Sequence, residues 1–136
     1  MRRALFFLFV LPFSSFAQGS GSNVVFDGNN DYINLGTGVA AGTRFTQECW
    51  IYHTITDNNF HGFLGTEPGS GGAKNRAPGI WIYQQDKIHA GFGDGTNWNS
   101  WVSNAGAVPA NTWNHVAITF DGTNYKLYVN GDSVYN

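Results

Sequence analysis

Residues 113–131, WNHVAITFDGTNYKLYVNG, constrain the fold more than any other stretch. Val116, Ile118 and Phe120 alternate with Trp113, His115, Ala117 and Thr119, a period of two that only an extended strand presents. Both sets carry apolar weight, which predicts a strand inside a packed sheet and not at a wet edge. Asp121-Gly122-Thr123-Asn124 supplies residues that tolerate the positive φ of a tight hairpin. Tyr125, Leu127 and Val129 continue the alternation against Lys126, Tyr128 and Asn130. Asn130-Gly131 then gives the strongest short hairpin signal.

The remaining chain repeats this grammar. Strands are predicted at 24–26 and 32–35 around Asp27-Gly28-Asn29-Asn30, then at 45–53 and 60–65. A hairpin is predicted over 79–84 and 87–93 about Gln85-Asp86, followed by strands at 98–103 and 133–136. Residues 67–78, EPGSGGAKNRAP, show no periodicity and read as a mobile loop. No segment has helical apolar spacing. About ten short strands result, an all-β chain suited to a two-sheet sandwich or jelly roll. The last strand begins after Asn130-Gly131 and stops within four residues, so the chain reads as cut short at its C-terminal end.

Arg2 and Arg3, the apolar run 4–13 and the small residues around Ala17 predict a secretory signal peptide over residues 1–17. The run is half of what a bilayer span needs. Residues 18–23 are a Gly/Ser lead-in, and the folded domain is expected over 24–136. Loss of Arg2 and Arg3 moves the formal charge from −2 to −4 and leaves no basic cluster, against nucleic-acid or anionic-lipid partners. Cys49 is the single cysteine, so an intrachain disulfide is excluded and a buried, apolar thiol is expected. Together these readings predict a secreted or cell-surface protein.

Three segments, in order, resemble the LamG-like jelly-roll domains of the concanavalin A-like lectin/glucanase superfamily. They are Phe26-Asp27-Gly28 with Asn30-Asp31-Tyr32, then Phe45-Thr46-Gln47-Glu48-Cys49-Trp50-Ile51, then Trp113-Asn114-His115-Val116-Ala117 with Phe120-Asp121-Gly122 and Leu127-Tyr128-Val129-Asn130-Gly131. The resemblance implies an antiparallel sandwich that normally continues through several strands beyond the last of these turns. It also implies a place among lectins, adhesion modules, glucanases and lyases, and calcium sites occur in such proteins.

Catalysis is weakly supported. A glycosidase needs two flanking carboxyl groups, and Glu48 has Thr46 and Trp50 at its same-face positions. Glu67 has only glycines there. His53, His61, His89 and His115 have neither zinc spacing nor a nucleophile context. No catalytic residue and no metal ligand is assigned. Asp27, Asn29 and Asp31 place oxygens as a calcium loop does, but without its later glycine and glutamate; a hairpin turn is the preferred reading and calcium stays open. The aromatic residues carry the functional expectation. Trp98 and Trp101, beside Asn97 and Asn99, with Trp81 and Tyr83 extending the platform, form the candidate ligand-binding set; Trp50 and Trp113 are expected in the core. The reading is a non-catalytic module binding glycan or a cell-surface protein within a larger multidomain protein. The alternatives are a hydrolase or lyase whose catalytic strand is missing, and an adhesion repeat with no sugar site.

Overall fold

A computed structural model describes residues 22–36, 43–65 and 72–135. The chain divides into two units, Met1–Leu35 and Gly36–Asn136. The expected signal peptide and Glu67 lie outside the described residues.

In the first unit, residues 22–35 are exposed throughout and contain no strand, which corrects the two strands expected at 24–26 and 32–35. The turn between them does form. Asp27 Oδ1 accepts from the Asn29 amide at 2.8 Å and Asp31 Oδ2 from the Asp27 amide at 2.9 Å, with Gly28 at φ 79°. Turn chemistry is local and needs only these residues. A strand needs a neighbour for its ladder, and a lone two-stranded hairpin is marginal.

The described residues of the second unit form eight strands: β1 (Phe45–Tyr52), β2 (Phe60–Leu64), β3 (Gly79–Tyr83), β4 (Lys87–Gly93), β5 (Trp98–Val102), β6 (Trp113–Phe120), β7 (Tyr125–Val129) and β8 (Asp132–Tyr135). They form two four-stranded sheets, ordered β1-β6-β7-β8 and β2-β3-β4-β5, with every pairing antiparallel. β6 lies between β1 and β7, as its two apolar faces predict. The Asn130-Gly131 turn has φ of 52° and 89°, the paired positive values of a type I′ hairpin. Asn130 Oδ1 also accepts the His115 amide at 2.9 Å, tying the turn to β6.

Alternation decides which side chains fill the space between the sheets. Val116, Ile118, Leu127 and Val129 from one sheet meet Ile80, Ile82, Ile88 and Ala90 from the other, all buried. An aromatic group closes one end of this core. Phe92 packs 4.9 Å from Phe120 and 5.7 Å from Phe45 between ring centroids, and Trp101 stacks on Tyr125 at 4.0 Å. Burial raises the Tyr125 hydroxyl above the ordinary phenol range. Asn114, fully buried, donates to the carbonyls of Pro109 and Thr112 at 3.0 and 3.1 Å. Cys49 faces inward and is half-buried, and burial raises its thiol.

The Asp-Gly-Thr-Asn sequence is used twice with the same bonding. Asp94 Oδ1 accepts the amides of Thr96 and Asn97 at 2.8 and 2.7 Å; Asp121 Oδ1 accepts those of Thr123 and Asn124 at 2.9 and 2.7 Å. Bonds from the Asn97 amide, the Asn99 side chain and the Thr96 amide hold Asp94 at about 2, and the Asn124 amide, the Asn124 side chain and the Thr123 amide do the same for Asp121. A carboxylate accepting several N–H groups is favoured in its charged form.

Candidate functional site

The outward side of β2-β3-β4-β5 brings together more aromatic surface than any pair in the sequence suggests. Register places Phe60 opposite Tyr83, Gly62 opposite Trp81, Trp81 opposite His89, and Gly93 opposite Trp98. Phe60 stacks on Tyr83 with centroids 4.2 Å apart and an interplanar angle of 8°. Trp81 and Trp98 meet edge to face, 6.0 Å apart at 76°. His89 lies among them, 5.0 Å from Phe60, 5.5 Å from Trp81 and 6.3 Å from Trp98.

Glycines let these rings sit low on the sheet. A Cβ at Gly62 would come within 2.9 Å of Trp81 Nε1, one at Gly79 within 2.6 Å of Trp81 Cη2, and one at Gly91 within 2.7 Å of Trp98 Cζ2. The long edge of the Trp81 indole therefore runs from above Gly62 to above Gly79. Any larger residue at these places would push an indole off the sheet.

A fourth glycine positions a cation, Arg76, at the site. The 3₁₀ turn Ala73–Asn75, formed inside the stretch expected to be a loop, docks on the end of β4. The Gly93 amide donates to the Arg76 carbonyl at 2.9 Å and the Gly95 amide to the Lys74 carbonyl at 2.9 Å. A Cβ at Gly93 would fall 2.0 Å from the Lys74 carbonyl oxygen, so the turn can approach only a glycine. Arg76 is thereby carried over the sheet, its guanidinium 5.5 Å from the Trp81 centroid and 5.8 Å from that of Trp98. Phe60, Ala73, Arg76, Trp81, His89 and Trp98 enclose a depression of about 300 Å³. Burial, and then the Arg76 charge, hold His89 below the ordinary imidazole range.

Of the expected set, Trp81, Tyr83 and Trp98 share this face. Trp101 does not: it pairs with Ala90, faces inward and stacks on Tyr125. Positions 98 and 101 are three apart, and on a strand an odd separation means opposite faces. Asn97 supplies turn bonds through its backbone, and the Asn99 side chain donates to Asp94 Oδ2 at 3.0 Å. Both brace the turn before Trp98. Phe60, Arg76 and His89 were not foreseen. Gly79-x-Trp81 and Gly91-x-Gly93 were the available signal, since i and i+2 share a face.

The outward side of β1-β6-β7-β8 also corrects an expectation. Trp50 and Trp113 are not core residues; they are 64% and 48% exposed, and Tyr52 is 49% exposed. Trp50 lies beside His115 at 5.2 Å and Tyr52 beside Trp113 at 5.8 Å. Glu48 points out on the same side, its Oε2 3.6 Å from His115 Nε2, with Ala117 across the strand.

Among the described residues a calcium site finds no cluster of three carboxylate, thiol or imidazole donors. Asp27 and Asp31 serve the turn, each accepting a backbone amide through one carboxylate oxygen. No helix among the described residues is long and apolar enough to cross a membrane.

The fold can be placed among known proteins. Solved structures of CBM40 from the IT-sialidase of Ruminococcus gnavus are similar to this chain. With α2,3-sialyllactose bound, the identity is 23%, the TM-score 0.56, and the match covers 68% of this chain and 51% of that one. With α2,6-sialyllactose bound, the values are 22%, 0.55, 68% and 52%; for CBM40 described without a sugar they are 23%, 0.56, 68% and 51%. The chain thus spans about half the length of these domains, and at this identity the likeness is one of fold. Comparison with curated protein sequences gave no match. A family model covers residues 27–136, and on that match the chain belongs to the Concanavalin A-like lectin/glucanases superfamily.

Proposed function

We propose that this chain is a non-catalytic carbohydrate-recognition module of an exported protein, and that the outward side of β2-β3-β4-β5 is its sugar platform. The observation that carries this reading is the edge-to-face corner of Trp81 and Trp98, held low over Gly62, Gly79 and Gly91. Sugar rings present C–H groups on one side and hydroxyls around the rim. An indole face accepts the former, and the walls of the depression, Arg76 and His89, offer polar groups to the latter. Support from fold comes from the similar CBM40 domains, which were solved with sialyllactose. Export rests on the charged start, short apolar run and small residues of positions 1–17. In this reading the protein works at the cell surface or outside it, as one module of a larger protein.

Retention of the chain on an immobilised glycan panel that includes both sialyllactoses tests this. Trp81→Ala and Trp98→Ala each weaken retention at least about tenfold while leaving the far-UV circular dichroism intact. Unchanged retention in both variants would leave an adhesion repeat with no sugar site there.

A further inference from the structure

We propose that the platform is selective for anionic saccharides, with the acid group seated on the terminal nitrogens of Arg76; this rests on the carbohydrate reading and narrows it. Arg76 is placed by a docked turn that requires Gly93, not by a free loop, so its position over the two indoles is built in. No hydrogen bond or ion pair joins its side chain to any described residue, and Nε is sealed from water with no partner. The terminal nitrogens are therefore the part left for a ligand. None of the six described residues that line the depression is acidic. The two indoles face the cation only with π density, which balances a fraction of the charge. A carboxylate or sulfate on a sugar stacked in the corner would meet two parallel N–H groups, the strongest geometry a guanidinium offers.

Matched glycan pairs separate this from carbohydrate binding as such. The probes are α2,3-sialyllactose against lactose, polygalacturonate against its carboxyl-reduced form, and dextran sulfate against dextran, each titrated with the chain at low and at 0.5 M salt. The expected result is at least about tenfold tighter binding to the acidic member of one or more pairs, reduced by salt. Which pairs respond tells carboxylate from sulfate. Arg76→Gln should bring acidic and neutral members together, and Arg76→Lys should keep a smaller preference. Equal affinity for both members of every pair overturns the anion selectivity and leaves carbohydrate recognition standing. Absence of binding to all six overturns both. Should Arg76→Gln fail to fold, the matched pairs measured on the unaltered chain decide alone.

Discussion

Two aromatic faces look outward from this sandwich, and they are built differently. On β1-β6-β7-β8, Trp50, Tyr52 and Trp113 stand on strands that contain no glycine, and each finds only a cross-strand ring beside it. On β2-β3-β4-β5, the strand glycines Gly62, Gly79, Gly91 and Gly93 fall on the outward side; the first three let the indoles sit low in a corner, and Gly93 admits the turn that carries Arg76. The first face exposes more Trp surface, yet the depression lined by the Arg76 guanidinium belongs to the second. Exposure of aromatic residues alone therefore does not mark a site. Relief beneath the ring does, because a concave wall can surround a ligand and a flat one cannot.

The largest effect that would test this separation lies within a single strand. Trp101→Ala empties an inter-sheet contact on Tyr125 and should lower stability by about 3 kcal/mol, read as a shift of the urea midpoint. Trp98→Ala, three residues away, should cost little stability and act on glycan retention. Equal stability losses would mean that the two indoles do not divide between core and surface. Next is Gly93→Ala. Its Cβ meets backbone, which cannot rotate away, so the turn carrying Arg76 must move; about 1–3 kcal/mol of destabilisation and loss of any acidic-glycan preference are expected together.

The two Asp-Gly turns, one per sheet, give a smaller effect that depends on pH. Asp94 and Asp121 have folded-state values of about 2, below the ordinary 3.8, so each favours the folded chain when ionised. That contribution is complete above pH ~4 and is lost as pH falls towards 2. The stability gap between the unaltered chain and Asp121→Ala, measured by urea titration from pH 5 down to pH 2, should close over that window. Asp94→Ala should behave likewise but also disturb retention, because Asp94 organises the entry to Trp98. The smallest effect is expected on the glycine-free face. Trp50→Ala and Trp113→Ala should leave glycan retention unchanged and alter stability by about 1 kcal/mol or less. A loss of retention in either would move the platform to the other sheet.

How far the sequence could be read depended on the range of the interaction involved. The strands of the second unit were legible because period two is imposed by each backbone on its own side chains. The hairpin turns were legible because Asp, Asn and Gly satisfy them locally. The same logic misled at 22–35: the turn formed without its strands, because ladder bonds require a neighbour that local sequence does not provide. Trp98 and Trp101 were grouped by polar surroundings when their odd spacing already separated them. Trp50 and Trp113 were assigned to the core by residue type, although they occupy the opposite face from Ile51 and Val116.

By itself the sequence determined an all-β chain, its hairpins, its alternating faces and its superfamily, since these follow from local geometry and ordered motifs. Only the tertiary structure decided which aromatic face is concave and which cation serves it. Phe60, Arg76, Trp81, His89 and Trp98 come from four strands and from the segment after a docked turn, spread over almost forty positions. What joins them is cross-strand register and the space left by glycines, and both exist only once the sheet has formed.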